Sequence, residues 1–283
     1  MKIYIVTTDK DLSRFSLEKA ALAKSSESII LYYHMLMYTN GILEYEGKEL
    51  ELAKDDRMII RWPWDAENIS QDYNLIVKML LQKFRENITL DYEILHSHSP
   101  YYEDKLFQHD LFNTYNISTP RTWFSPTIKN LENLPFPIVA KKRISSRSKG
   151  NFLIRSLDEL EHRFMDGTLE YIFQEFINIR DDLRILMLQG EVIGVVKRMT
   201  HIRDEERLAV KGMEVYVLNN QEILSECSRL QKELDADFVG FDVLIDESGK
   251  YWIIEANMSP QFNRFEEVTG VDVSSRVIDA LIL

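Results

Sequence analysis

Near its C-terminus the chain runs Phe241-Asp242-Val243-Leu244-Ile245-Asp246-Glu247-Ser248-Gly249-Lys250-Tyr251-Trp252-Ile253-Ile254-Glu255-Ala256-Asn257-Met258-Ser259-Pro260. Two apolar runs flank the turn signal Asp-Glu-Ser-Gly-Lys, a pattern that predicts a β-hairpin. If the turn takes the four residues 247–250, Asp242 and Glu255 lie symmetrically about it and face each other across the ladder. Side chains alternate along a strand, so Asn257 shares the face of Glu255. Three oxygen donors then converge. Burying an unpaired carboxylate is costly, so two in a core hairpin require something positive between them. One or two carboxylates with an amide oxygen suit magnesium, with nucleotide phosphates completing its shell. Taken alone, the hairpin fits equally well a half-buried strand pair whose polar residues face solvent.

The chain has 283 residues. That is too long for one small core and implies roughly two domains, or three small ones. A hydrophobic fraction of 45 % is that of a folded soluble protein, and no apolar stretch approaches the ~18 residues of a membrane span. The first residues, Met1-Lys2-Ile3-Tyr4-Ile5-Val6-Thr7-Thr8, are too short for a signal h-region and read as a first strand. A single cysteine, Cys227, leaves no intrachain disulfide, which fits a reducing cytoplasm. The net charge of -12 argues against a general nucleic-acid binder and against anionic membrane surfaces. Positive charge is local: Lys141-Lys142-Arg143-Ile144-Ser145-Ser146-Arg147-Ser148-Lys149-Gly150 holds five basic residues and no acid. A small, strongly anionic ligand fits that distribution.

Residues 1–95 alternate strand-like and helix-like runs, as in a small α/β domain. Lys2 to Val6 predicts a strand, Ser13 to Lys24 a helix with Ser13 at its N-cap, and Arg57 to Arg61 a strand stopped by Pro63. Ser70 to Phe84 has helical spacing, with Ile76, Met79, Leu80 and Phe84 on one side. Beyond a helix over Tyr102–Tyr115, strands are predicted at 138–141, 152–154 and 171–177, with a helix at 157–165. Leu183–Leu188 and Glu191–Arg198 form a hairpin over Gln189-Gly190, and a helix over Gln221–Leu234 precedes the hairpin quoted first.

Several segments carry chemistry. In the basic loop, hydroxyls and backbone amides can cradle phosphate oxygens, while Lys141 at a strand end points an ammonium at them; a solvated basic turn is the plainer alternative. Tyr171-Ile172-Phe173-Gln174-Glu175-Phe176-Ile177 can offer a purine an apolar slot with backbone donors and acceptors at its edge, or can be a simple edge strand. Asp181-Asp182-Leu183-Arg184 follows, and Lys197-Arg198 closes the next strand, where a cation can offset charge on a transferring group. Arg203 and Arg207 are better explained by pairing with Asp204, Glu205 and Glu206. His96-Ser97-His98 has the spacing of two ligands on one strand face, without a third. Arg61-Trp62-Pro63-Trp64 suits a substrate cleft or an interdomain seam. No Gly-Lys-Ser or Gly-Lys-Thr phosphate loop occurs.

Taken in order, these pieces resemble the ATP-grasp ligases, and among them the RimK-type glutamate ligases. Pro137-Ile138-Val139-Ala140-Lys141 matches the strand whose lysine contacts the phosphates, and Gln174-Glu175-Phe176-Ile177 the hinge that holds adenine. Asp182-Leu183-Arg184 corresponds to the Asp-Ile-Arg element, Val192 to Arg198 to the strand whose terminal arginine faces the phosphates, and Asp104-Lys105 to an earlier helix lysine. Asp242, Glu255 and Asn257 fall on the magnesium ligands, and the continuation through Asp272 is similar. Two departures concern substrate choice. The flexible loop has only Gly150 where the family is glycine-rich, and His201 to Leu208 replaces the family's Arg-Ser-Asn element.

The resemblance implies an α+β ATP-grasp fold. An N-terminal α/β pre-ATP-grasp domain (1–95) precedes a central subdomain with a phosphate flap (96–175) and a C-terminal subdomain with the magnesium site (176–283), and the last two clasp ATP between them. It implies a carboxylate-amine ligase that activates a carboxylate with the γ-phosphoryl group of ATP. Arg198, Lys141 and Arg184 are its expected catalytic residues. Lys105, Lys141, Ser146, Gly150, Gln174, Glu175, Phe176, Ile177, Asp182 and Lys197 are expected to bind the nucleotide, with Asp242, Glu255 and Asn257 on two magnesium ions that manganese can replace. Expected partners are ATP, a carboxylate and an amine from an amino acid, peptide or protein tail, with homo-oligomerisation open. A phosphotransferase on the same fold and a non-catalytic nucleotide-binding module are the alternative readings.

Overall fold

The computed structural model of the protein describes residues 1–62, 71–98, 101–145, 150–203 and 207–283, with backbone alone at 71–72, 200–203 and 207–211. Pro63, Trp64, Ser70 and Ser146 lie outside the described residues, as do Asp204 to Glu206 and the side chains of Arg203 and Arg207.

In the N-terminal third, β1 (Lys2–Thr7) is followed by α1 (Arg14–Lys24) and β2 (Glu27–Tyr32). A small antiparallel meander follows, β3 (Leu36–Thr39), β4 (Ile42–Tyr45) and β5 (Lys48–Glu49), before β6 (Arg57–Ile60). The parallel sheet has order β2-β1-β6. Strands β2 to β5 are not predicted from the sequence, because Ser28 to Glu49 mixes exposed Met, Tyr and Glu without clean alternation. Helices α2 (Gln71–Lys83), α3 (Tyr92–His98) and α4 (Lys105–Thr114) come next. The expected strand pairing of His96 and His98 is corrected: they sit in helix α3, where His96 stacks on Tyr92 at 5.6 Å and His98 meets Phe107 at 5.8 Å.

The middle of the chain builds a second sheet from β7 (Thr122–Trp123), β8 (Ile138–Lys142), β9 (Asn151–Ile154) and β10 (Tyr171–Glu175), in the order β7-β10-β8-β9, with α5 (Leu157–Arg163) packed on it. Ile138, Ala140, Ile154, Leu160, Phe164 and Phe173 form its core. By alternation Val139 and Lys141 point to the other face.

The C-terminal part holds a five-stranded antiparallel sheet, β13-β12-β11-β14-β15. Its strands are β11 (Ile179–Leu188), β12 (Glu191–Arg203), β13 (Arg207–Val215), β14 (Phe238–Asp246) and β15 (Tyr251–Asn257), joined by α6 (Gln221–Glu233) and closed by α7 (Asn263–Thr269) and α8 (Val273–Ile282). The β11–β12 turn takes the predicted Gln189-Gly190, both with positive φ (49° and 85°), which matches the twist of a tight hairpin. Strand β13 is unforeseen because its run begins in alternating charge. One face of the sheet packs Leu183, Ile185, Val243 and Ile253 on Ile223, Cys227 and Leu230 of α6, in a core that continues through α4 into the first sheet. Each such side chain contributes roughly 1.5–3 kcal/mol by burial. Where α7 and α8 do not cover the opposite face, its polar residues gather.

Candidate active site

The decisive hairpin pairs Asp242 with Glu255 and Gly240 with Asn257. It does so by a different route from the one expected. Asp246 N donates to Lys250 O (2.9 Å), so the turn holds three residues rather than four, with Gly249 at φ +87°. A three-residue turn alone would set Asp242 opposite Ile254. Instead the ladder runs Val243–Ile253 and then Asp242–Glu255, so Ile254 is an extra, bulged residue that restores the carboxylate pairing.

Asp242 is buried and holds two guanidiniums. Arg184 reaches it through Nε and through Nη2 (3.0 Å), and Arg198 Nη1 lies at 2.7 Å. Arg198 also donates to Asp182 Oδ1 from Nε (2.9 Å) and Nη2, so the charges alternate as Asp182, Arg198, Asp242, Arg184 along one sheet face. Burial pushes the Asp242 carboxyl up, and the two arginines more than reverse it and hold it below the usual carboxylate range. For Asp182 burial wins and its carboxyl is raised, against the pull of Arg198.

Opposite this face stand the lysines. Lys105 Nζ lies 3.5 Å from Glu255 and donates to Ser145 O at 2.9 Å. Among the described residues the Lys141 ammonium has no hydrogen bond or ion pair. Burial lowers it to about 8, with Glu255 pulling the other way and Lys105 adding to the depression. An ammonium held this way gains from any anion placed beside it.

An apolar platform forms where the chain leaves residues 174–177: Ile177 is buried against Leu244 of β14 and Trp252 of β15, with Ile179 and Ile254 alongside. Phe176 is exposed, and Glu175 accepts from Arg121 N at 2.9 Å. Gln174 is buried, its amide nitrogen bound to His109 Nε2 (2.7 Å) and Thr122 Oγ1 (2.8 Å), while its Oε1 has no hydrogen-bond partner among the described residues. His109 also meets Thr119 Oγ1 (2.8 Å), and burial, with Lys141 and Lys105 nearby, drives it down to about 3, so it stays neutral. Gly150 opens β9 at φ +76°.

Some expectations are not met. Lys197 does not join the cluster: its side chain alternates to the other face of β12, where Asp181 holds it at 2.6 Å. The basic loop is partly structural. Arg143 clamps Asp104, the N-cap of α4, and donates to Leu169 O, while Lys142 pairs with Glu170 at 3.1 Å. Sequence reasoning missed His109, whose i+4 spacing from Lys105 was the available signal. It also missed Leu244, Trp252 and Glu103. Burial and the neighbouring Glu255 push the Glu103 carboxyl up to about 7, with Lys105 opposing.

Whether this donor set suits a divalent ion can be judged from its chemistry. Asn257 Nδ2 donates to Gly240 O (3.2 Å), which leaves its Oδ1 as the outward end. Glu255 carries one loose ion pair. Among the described residues no three His, Cys, Asp or Glu side chains are grouped for a metal; the set is two carboxylates and an amide, the hard-oxygen minority share of a shell that phosphates and water complete. The residues fit magnesium on that basis.

A model of the RimK-like ATP-grasp domain matches residues 103–281. The chain belongs to the RimK-like ATP-grasp family. This ATP-grasp chain is 31% identical over 179 residues to the coenzyme gamma-F420-2:alpha-L-glutamate ligase of Methanocaldococcus jannaschii, covering 59% of this chain and 61% of that one. It is 27% identical over 161 residues to human N-acetylaspartylglutamate synthase A, covering 55% and 41%. The chain thus spans less than two thirds of the length of these curated relatives. Among solved structures it resembles the ATP-grasp ligase PsnB complexed with minimal precursor (TM-score 0.73, 19% identity, 99% and 98% covered) and the RimK domain protein of Sphaerobacter thermophilus DSM 20745 (TM-score 0.73, 15% identity, 100% of both chains). At those identities the likeness establishes the α+β ATP-grasp fold. Among the described residues no helix is long and apolar enough to cross a membrane.

Proposed function

We propose that the protein is an ATP-dependent carboxylate-amine ligase working through an acyl phosphate. The observation that carries this reading is the convergence of Asp242, Glu255 and Asn257 on one sheet face, with Lys105 beside Glu255 and an apolar platform of Ile177, Leu244 and Trp252 alongside. Adenine would lie on the platform and along the backbone of Glu175 to Ile177. Lys105 and Lys141 would hold phosphate oxygens. Asp242, Glu255 and Asn257 would hold magnesium, in one or two ions with manganese as a substitute, supplying charge neutralisation at the phosphates.

In the first step a substrate carboxylate oxygen attacks the γ-phosphorus and ADP leaves; in the second an amine nitrogen attacks the acyl carbon, phosphate leaves with the bonding electrons, and the proton the nitrogen gives up passes to that phosphate. Arg198, fixed between Asp182 and Asp242, presents a cation whose protonation burial cannot remove. It would stabilise oxygens of the acyl phosphate and of the tetrahedral adduct, with Arg184 holding Asp242 in register. Both substrates lie among amino acids, peptides and protein tails, since relatives include a glutamate ligase and a ligase seen with a precursor. The three-part division at about residues 95 and 175 follows the same reading.

The test is ADP release by purified protein with ATP, magnesium and pools of carboxylates and amines, with mass spectrometry of products. Hydroxylamine added with a carboxylate alone should trap a hydroxamate. A phosphoester product, or no carboxylate-dependent ADP release, refutes the ligase reading.

A further inference from the structure

Among the described residues outside the site, the ion pair of Arg61 with Asp11 is buried almost completely. Arg61 and Asp11 are 2% and 1% exposed, with Arg61 Nε 2.9 Å from Asp11 Oδ2. Arg61 follows β6 and Asp11 follows β1, so both lie at the carboxyl edge of the N-terminal parallel sheet. Burial pushes the Asp11 carboxyl up, but Arg61, Thr7 and Gln261 more than reverse it, so the pair is charged. Burying two charges brings little net stability when apolar groups could fill the space. The guanidinium does something else as well.

Arg61 Nη2 donates to Pro260 O (2.9 Å) and Ser259 O (3.4 Å), nearly 200 residues along the chain. Around that contact Trp62 N donates to Ser259 Oγ (2.7 Å), Leu12 N to Gln261 Oε1 (3.2 Å), Gln261 Nε2 to Asp11 Oδ1, and Phe262 N to Ser13 Oγ (2.9 Å). Ser13, expected as the N-cap of α1, makes no cap bond and serves this junction instead. The segment so held begins immediately after Asn257. From its other side it is fixed by Gly240, where a Cβ would come 2.8 Å from Pro260 Cβ, and Gly240 O is the acceptor that orients Asn257. Residues 257–262 are therefore gripped between β14 and the N-terminal sheet.

We propose that Arg61, backed by Asp11, is a positioning residue for the metal–nucleotide site: it fixes the Ser259–Pro260 backbone and thereby the placement of Asn257 Oδ1. The idea rests on the magnesium reading above. Arg suits the task because its planar fork fixes direction as well as distance, and groups that orient a metal ligand typically change metal affinity 10–100-fold when removed.

The experiment measures manganese binding to the ADP-loaded protein by EPR, alongside the magnesium concentration giving half-maximal ADP release, for the parent, Arg61→Lys, Arg61→Met and Ser259→Ala, each checked by thermal melting. The expected result is a manganese Kd raised about tenfold or more in Arg61→Met, less in Arg61→Lys, and a few-fold in Ser259→Ala, whose fold is least at risk. Should Arg61→Met fail to fold, the Arg61→Lys and Ser259→Ala shifts decide. Folded variants with lowered melting temperature but parental manganese and magnesium constants overturn the proposal and leave a purely structural ion pair. If the parent itself binds no manganese with ADP, the magnesium reading falls, and this proposal with it.

Discussion

Replacing Asp242 by Asn tests the charge alternation directly. In the folded protein this carboxylate is 5% exposed and accepts three hydrogen bonds, two from Arg184 and one from Arg198, themselves 17% and 11% exposed. Asn keeps the shape and one acceptor but removes the charge, leaving two part-buried guanidiniums to share Asp182. Breaking a buried pair in this way costs about 3–5 kcal/mol. The lower end applies, because Asn Oδ1 still accepts and the arginines reach some solvent, so the unfolding free energy should fall by about 3 kcal/mol. Urea denaturation followed by tryptophan fluorescence reads that change. Glu255→Gln is the comparison, since Glu255 has one ion pair at 3.5 Å and is 23% exposed; its stability should stay within about 1 kcal/mol of the parent. Both variants should lose ADP release. Arg184→Met added to Asp242→Asn should recover part of the lost stability by removing the surplus charge. Equal stability of Asp242→Asn and Glu255→Gln would show that the arginines gain nothing from that carboxylate.

Lys141, lowered to about 8, loses its ammonium as pH rises past that value, so kcat/KM for ATP should fall above about pH 8, and Lys141→Arg, charged throughout, should flatten the profile to pH 9.5 even if its absolute rate is low. Lys197→Met should change the KM for ATP less than about twofold and stability by at most ~1 kcal/mol, since its partner is Asp181 on the far face; a tenfold KM change would return it to the site. Gly240→Ala places a methyl against the Pro260 ring and should destabilise by about 1–3 kcal/mol while weakening magnesium dependence, as measured by melting and metal titration.

The strongest periodic segments were legible: α6, the β11–β12 hairpin with its Gln189-Gly190 turn, and the apolar β14–β15 pair follow from local pattern alone. The Asp242–Glu255 pairing was also foreseen, but through a turn one residue too long that the Ile254 bulge happens to offset. What stayed hidden depends on distant neighbours. His109 is neutral only because α4 buries it under Gln174 and beside two lysines, and Asp104 matters because Arg143 returns to clamp it. Lys197 and Arg198 are adjacent in sequence with equal charge, and only the pleat of β12 separates them. His96 and His98 misled because a short helix and a strand look alike over seven residues.

The extra residue at Ile254 has a consequence of its own. Trp252 pairs with Leu244 and Glu255 with Asp242, so two side chains an odd number of positions apart face the same way. The strand in effect changes reading frame between the half that carries Trp252 and the half that carries Glu255 and Asn257. Insertions or deletions on one side of that point leave the parity of the other untouched, so the apolar platform at Trp252 and the carboxylate at Glu255 can be altered separately within one β-strand. Removing Ile254 itself would join the frames into one regular ladder that still sets Glu255 opposite Asp242 and Asn257 opposite Gly240, so the strand would lose its bend while its polar groups kept their face.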